Sequence, residues 1–280
     1  MRKSRPETVM ERYRQHLLRE ECAAATVEKY LRAAEEFCGW LGGRGVSKQA
    51  VIEWKGALQT AGLAPVTVNA KLCALNNLLR FLKRPECRVK LLRLQRRVFR
   101  TKERSLTREE YLRLLETARG AGKARLELLM EAICSTGIRV SEVKYLTVEA
   151  AGAGQAVVCL KGKVRVILLP KKLCRKLLKF AHRQKTASGE IFLTKSGTSL
   201  SRKQIWREMK ALCAAAKVAP SKVFPHNLRH LFAVSFYRAC RDIVKLADVL
   251  GHSSIETTRI YLLTTSLEHA RYLDRLRLIS

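Results

Sequence analysis

The chain has 280 residues, 47% of them apolar, which is enough for two ordinary domains with their own cores and excludes a disordered polymer. Lys and Arg number 55 against 24 Asp and Glu, a formal charge of +31. A chain this basic repels itself until a polyanion neutralises it, so nucleic acid is the expected partner, and a structural RNA-binding protein answers to the charge alone equally well.

The N-terminal stretch MRKSRPETVMERYRQHLLREE starts basic but carries no apolar block, so it does not read as a secretory signal. Residues 7–20 read as a helix instead. Thr26 is the predicted N-cap of a second helix, in which Tyr30, Ala34, Phe37 and Leu41 recur at helical spacing until Gly42-Gly43 stops the run. Ser47 caps a third run through Val51, Trp54 and Leu58. Val68, Leu72, Leu75, Leu79 and Leu82 alternate four and three apart, the seam of a further helix. Residues 1–90 therefore read as a compact bundle of about four helices that binds DNA. The stretch KRPECRVKLLRLQRRVFRTKER, residues 83–104, breaks the pattern with a proline and a crowd of like charges. Residues 91–104 are read as a basic linker lying against the DNA backbone.

A second domain, residues 105–280, opens with a capping box at Thr107 and Glu110. Leu126, Met130 and Ile133 mark a helix ended by Thr136-Gly137. Apolar runs at 157–160 and 164–169, joined through Lys161-Gly162-Lys163, predict a β-hairpin with a basic turn, and 191–193 a third strand. Helices are predicted over 171–183, 202–217, 227–240 and 242–250, with a last one near Thr257. The fold class is mainly α with a small antiparallel β-sheet (α+β). No apolar run approaches the length of a membrane span. The nine cysteines are scattered without a CxxC pair or zinc spacing and read as free thiols in a reducing compartment. A soluble, intracellular protein without a membrane partner is expected.

Four places carry side chains suited to chemistry, and each has a plainer reading when taken alone. In TGIRVSEV, residues 136–143, Gly137 ends one helix, Ser141-Glu142 opens the next, and Arg139 projects from the turn between; alone it is a surface arginine. In LKGKVRVILLP, residues 160–170, Lys161 or Lys163 at the hairpin tip can reach a DNA groove and donate a proton; alone this is a polar turn. In PHNLRH, residues 225–230, Pro225 starts a helix and puts His226 and Arg229 on one face. His226 and His230 have the spacing of a zinc helix, yet Asn227 stands where a metalloprotease needs glutamate, so metal is not expected. In LGHSSIETTRIY, residues 250–261, Gly251 stops one helix and Ser253 with Glu256 makes a capping box for the next. His252 lies at that turn and Tyr261 near the end of the second helix. Alone, the segment has the outline of a helix-turn-helix with a packed aromatic.

Together these groups answer one chemical problem. Transfer at a phosphodiester passes through a five-coordinate phosphorus with extra negative charge on its non-bridging oxygens. Arg139 and Arg229 can clamp those oxygens without changing protonation state. A tyrosine hydroxyl, with a pKa of about 10, needs a base or a strong positive field to act as nucleophile. His226 can supply the base, Lys161 a proton for the departing 5′ oxygen, and His252 a hydrogen bond to a phosphate oxygen. Neither an acidic triad, a Walker loop nor a metal cluster is visible, so no cofactor and no metal are expected.

In order and spacing, these four motifs resemble the tyrosine recombinases, the lambda-integrase and Xer-type group of site-specific DNA recombinases, over the whole chain. The resemblance implies an N-terminal helical core-binding domain followed by a mixed catalytic domain. It implies Arg139 and Arg229 as the arginine pair, Lys161 as the hairpin lysine, His226 and His252 as the two histidines, and Tyr261 as nucleophile. Two departures stand out: the hairpin is shorter than the usual G-K-G-x-K form, and Leu231 follows His230 where threonine is common. The implied reaction runs through a 3′-phosphotyrosyl link and a Holliday junction, without cofactor. The implied partners are double-stranded DNA with a specific recombination site and a homotetramer on it. In such a tetramer the C-terminal helix, with Leu267, Ala270, Leu273 and Leu276 at helical spacing, is exchanged between subunits. The absence of an extra N-terminal arm-binding domain leans toward a simpler, Xer-like system. Two rivals share part of the pattern: a type IB topoisomerase-like strand transferase, and a non-catalytic helix-turn-helix regulator.

Overall fold

The computed structural model describes residues 8–94, 105–160, 163–252 and 254–261. The chain divides into two units, Met1–Arg96 and Arg97–Ser280.

The first unit contains α1 (Val9–Arg19), α2 (Ala24–Leu41), α3 (Lys48–Thr60) and α4 (Pro65–Phe81). Tyr13, Leu17, Leu31, Phe37, Val51, Trp54, Leu72 and Leu75 fill its core, the residues that the 3.6-residue period brings to one face of each helix. Ser47 caps α3, its hydroxyl accepting from the Ala50 N–H at 3.1 Å. Thr26 does not cap α2. That helix starts at Ala24 with no side-chain cap, because two alanines, the best helix formers, extend it backwards past the threonine. After a 3-10 turn at Pro85–Cys87, the chain is fastened along α4 by two asparagines acting as backbone mimics. Asn76 exchanges two bonds with Val89, at 2.9 and 3.0 Å, and Asn69 exchanges two with Leu92, at 2.9 and 2.8 Å. Residues 95–104, most of the expected linker, lie outside the described residues.

The second unit contains α5 (Arg108–Gly120), α6 (Ala124–Thr136), α7 (Val148–Ala153), β1 (Gln155–Leu160), β2 (Lys163–Leu168), α8 (Lys171–Arg183), α9 (Arg202–Lys210), α10 (Pro225–Cys240), α11 (Ile243–Leu250) and α12 (Ile255–Arg259). The strands form an antiparallel hairpin in which Gln155 faces Leu168 and Val158 faces Arg165. The capping box at Thr107 and Glu110 is present in both directions. The core runs through Leu114, Leu126, Met130, Ile133, Val158, Ile167, Leu177, Phe192, Ile205 and Met209. A second cluster of Ala233, Leu246, Leu250 and Tyr261, flanked by Phe232 and Phe236, binds α10, α11 and α12 together.

Three local expectations change. Residues 191–193 add no strand to the sheet: Leu193 forms an isolated bridge with Ser199, a second bridge pairs Thr147 with the preceding Glu190, and the Ile191 N–H donates to the Leu146 carbonyl. The helix expected over 202–217 is regular only to Lys210, beyond which Leu212 and Cys213 donate three residues back and Lys217 takes the left-handed conformation. The cap of α12 is Ser254, not Ser253: the Ser254 hydroxyl accepts from the Glu256 N–H at 3.2 Å. Ser253 itself lies outside the described residues. Among the described residues, no helix is long and apolar enough to cross a membrane.

Candidate active site

Gly137 begins the site. It ends α6 in the left-handed conformation, φ 64°, and a Cβ there would lie 2.5 Å from the Phe232 ring. The turn that follows puts Arg139 just before a 3-10 turn, Val140–Tyr145. Glu142 folds back under it. One carboxylate oxygen accepts from the Arg139 N–H at 2.9 Å and from Nη2 of Arg165 at 2.8 Å, while the other accepts from Nη1 of Arg139 at 2.9 Å. The Glu142 side chain is only 3% exposed, so its charge is tolerated because two guanidiniums and a backbone amide satisfy it.

Arg229 comes from α10. His226, Arg229, His230 and Ala233 share one helical face, three and four residues apart, and that face meets α11 and α12. The buried Arg229 guanidinium donates from Nη1 to the Gly137 carbonyl and from Nη2 to the Leu250 carbonyl at 2.9 Å. Arg165 donates to that same Leu250 carbonyl, and Arg139 to the Gly251 carbonyl at 3.4 Å. Three guanidiniums thus converge on the C-terminal end of α11, where the last carbonyls concentrate partial negative charge. Glu142 is their one carboxylate partner in these bonds, which leaves a net +2.

Gly251 turns the chain with φ 61°, and His252 follows in the same pocket. Its Nε2 lies 3.0 Å from Nη2 of Arg229, and its Nδ1 lies 2.9 Å from the Thr258 hydroxyl. A guanidinium has no acceptor, so Nε2 must accept; Nδ1 then carries the hydrogen and donates to the fully buried Thr258. Burial, reinforced by Arg229, Arg139 and Arg165, pushes the His252 pKa down to about 4, which keeps the ring neutral at pH 7. Burial likewise holds Arg229 below the usual arginine range, opposed by its hydrogen bond to the Tyr261 phenol.

Tyr261 completes the group. It follows α12, is 4% exposed, and its ring lies 6.0 Å from His226, 5.3 Å from His230 and 5.8 Å from His252, the last nearly parallel at 11°. Arg139, His226, Arg229, His252 and Tyr261, distant in sequence, are therefore brought together. Lys161 lies outside the described residues. Three residues around this cluster were not singled out by their sequence positions. Glu142 was read only as the start of a helix, and Thr258 carried no signal. Arg165 carried none either, because alternation along β2 sets it opposite the apolar Val164, Val166 and Leu168 and makes it read as surface charge.

An arrangement of fixed cations, the neutral His252 ring, further imidazoles and a buried phenol suits a reaction that builds negative charge on phosphate oxygens. The chain is similar to several known proteins. The phage integrase family matches residues 104–267, and the phage integrase N-terminal SAM-like domain matches residues 10–86. The tyrosine recombinase XerA of Pyrococcus furiosus is 31% identical over 187 residues, 64% of this chain. The alignment spans 64% of that relative's length. A crystal structure of the XerH site-specific recombinase bound to its difH substrate, in a pre-cleavage complex, superposes with a TM-score of 0.71 at 19% identity, covering 95% of this chain and 84% of that one. A lambda integrase (75–356) dimer bound to a COC′ core site gives a TM-score of 0.71 at 16% identity, covering 90% of this chain and 93% of that one.

Proposed function

The chain belongs to the phage integrase family of tyrosine recombinases, and from that membership we propose that it is a site-specific DNA recombinase that cleaves and rejoins double-stranded DNA through a 3′-phosphotyrosyl intermediate. The observation that carries this reading is the meeting of distant residues within one unit: His226 and His252 lie against the Tyr261 ring, Arg229 bonds His252, and Arg139 bonds the neighbouring Gly251 carbonyl.

In the proposed reaction the Tyr261 oxygen attacks the scissile phosphorus. A P–O bond to tyrosine forms as the bond from phosphorus to the 5′ oxygen breaks. The phenolic proton passes to His226, and Lys161 supplies a proton to the departing 5′ oxygen. Arg139 and Arg229 exchange their carbonyl partners at 250 and 251 for the non-bridging oxygens, whose charge grows in the transition state. Beside the phosphate His252 takes up a proton at Nε2 in place of the bond it accepts from Arg229 and donates it to a phosphate oxygen, while Nδ1 keeps its bond to Thr258. A 5′ hydroxyl from a partner duplex then attacks the phosphotyrosine and releases Tyr261, so the ester energy is conserved and the chemistry needs no cofactor. Strand exchange proceeds pairwise in a homotetramer through a Holliday junction, with the C-terminal segment of Leu267, Ala270, Leu273 and Leu276, which lies outside the described residues, exchanged between subunits. Residues 1–90 form the core-binding domain, 91–104 the linker along the DNA backbone, and 105–280 the catalytic domain. DNA binding is supported by the likeness of this fold to recombinases crystallised on their sites.

The test is a nicked suicide duplex carrying the recombination site, on which the chain is expected to form a covalent protein–DNA adduct that Tyr261→Phe abolishes. An adduct that survives this substitution overturns the assignment of the nucleophile.

A further inference from the structure

Arg165 occupies an inverted position on its strand. Along β2, Val164, Val166 and Leu168 face outward and are 70%, 51% and 73% exposed, while Arg165 points inward with Ile167. A half-buried strand ordinarily turns its apolar residues in and its charges out. Here a cation takes the inner face, and its side chain is only 15% exposed. Such a placement needs partners for the charge, and Arg165 finds them at its two terminal nitrogens while its buried Nε has none.

Both terminal nitrogens are engaged. Nη2 reaches Glu142 at 2.8 Å and Nη1 reaches the Leu250 carbonyl. The path to that carbonyl runs over Gly251, where a Cβ would lie 2.5 Å from Cδ and 2.6 Å from Nη1 of Arg165. Gly251 thus has two reasons to be glycine: its φ of 61° and the passage of this side chain. Each end of the bridge leads to a group of the site. Glu142 grips Arg139 through its backbone and its guanidinium. The 250–251 turn receives Arg229 and Arg139 and presents His252. Three segments that are remote in sequence, the hairpin strand, the 139–142 turn and the 250–252 turn, are therefore tied at one planar fork.

We propose that Arg165 is a positioning residue for strand cleavage: it holds Glu142 and the Leu250–Gly251 turn so that Arg139 and His252 are aligned on the scissile phosphate, and Gly251 is the gap that admits it. The proposal rests on the recombinase reading.

The experiment compares single-turnover adduct formation by the full chain on two suicide duplexes. One carries an ordinary scissile phosphate. The other carries a methylphosphonate there, which lacks one charged non-bridging oxygen and so depends less on aligned guanidiniums. Misplacing a reacting group by about 1 Å slows a reaction by roughly a hundredfold. Arg165→Met is therefore expected to be slower by about that factor on the phosphate, with DNA affinity within about twofold of wild type, and within about tenfold of wild type on the methylphosphonate. Arg165→Lys is expected to restore little, because a single ammonium lacks the fork that spans two acceptors. Gly251→Ala leaves Arg165 in the chain but blocks its path, and it is expected to give the same substrate-dependent defect; it carries the test if Arg165→Met does not fold. Equal slowing on both substrates, or cleavage by Arg165→Met at the wild-type rate, overturns the proposal while the wild-type adduct stands. A wild-type chain that forms no adduct on the ordinary phosphate overturns the recombinase reading itself.

Discussion

Arg229 donates from Nη2 to the Nε2 of His252 across 3.0 Å, and that bond, with burial, sets the protonation state of the imidazole. Each of the two groups proposed to meet the phosphate satisfies the other while no phosphate is present. Burial, and after it the second cation that protonation would set against Arg229, bring the His252 pKa down to about 4. The native form therefore binds fewer protons than the unfolded chain between pH 4 and the ordinary histidine pKa of about 6.5. Stability from this group is fully present above about pH 6.5 and is lost as pH falls toward 4. Thermal unfolding across that window should show the loss, and His252→Gln should flatten it. DNA places an anion beside the ring, so the His252 pKa, followed by its imidazole proton shifts, should rise on binding. A His252 that titrates near 6.5 without DNA contradicts the neutral-ring assignment.

Tyr261→Phe removes one oxygen and keeps the ring that three imidazoles and the α10–α12 cluster enclose. Melting temperature should stay within a few degrees of wild type, a change of about 1 kcal/mol or less. Affinity for the recombination site should be unchanged within about twofold, while adduct formation disappears. A helix-turn-helix regulator would show no chemistry in either protein, so the pair of measurements separates the two readings.

The α10–α12 cluster and the four-helix bundle were legible because their residues obey a period. Leu72, Leu75 and Leu79 lie on a stripe, Gly137 and Gly251 mark helix ends, and Thr107 with Glu110 states a cap in four residues. The catalytic candidates were legible as types in an order, and their mutual approach was not, because contacts across 112 residues, such as Arg139 with Gly251, leave no local pattern. Glu142 and Arg165 illustrate the limit. A glutamate three residues after a turn looks like a helix start, and an arginine within a hairpin looks like surface charge. Only the fold turns both inward. The misplaced cap at Ser253 came from two adjacent serines with equal chemistry, between which backbone geometry decides.

Arg139→Ala and Arg229→Ala should each lose cleavage far more than binding. Their hydrogen bonds in the free protein go to carbonyls and to Glu142, so their contribution to phosphate affinity is partly offset by the partners they leave. Their gain appears as the phosphorane charge develops, and losing one such donor slows chemistry by about 10²–10³-fold. Filter binding and suicide-substrate kinetics on the same variants check this. Equal losses in affinity and rate would remove both arginines from the transition state.

Gly137→Ala tests the other end of the site. The left-handed backbone at φ 64° and a Cβ 2.5 Å from Phe232 both oppose the substitution, and strain of this kind costs about 1–3 kcal/mol. The Gly137 carbonyl also receives Arg229, so the displacement reaches the clamp. Urea unfolding should show the stability loss, and the cleavage rate should fall with it. Gly154→Ala, also left-handed at φ 73° but with open space around its Cβ, should lower stability less and leave the rate unchanged.

Salt separates the clamp from the bulk field. The three guanidiniums and Glu142 leave a net +2 at the site, a small part of the +31 on the chain. Most of the electrostatic affinity must then come from cations spread over the rest of the protein, among them Lys172, Arg175 and Lys179 on α8. Each neutralised phosphate steepens the fall of log affinity with log salt by about 0.9, so with 6–10 phosphate contacts affinity should drop about 10³–10⁵-fold between 50 and 200 mM. Arg139→Ala should change that slope by no more than about 1 while slowing cleavage strongly. A flat salt profile would contradict phosphate neutralisation as the source of affinity, and a slope that collapses with Arg139→Ala would place the binding charge in the clamp instead.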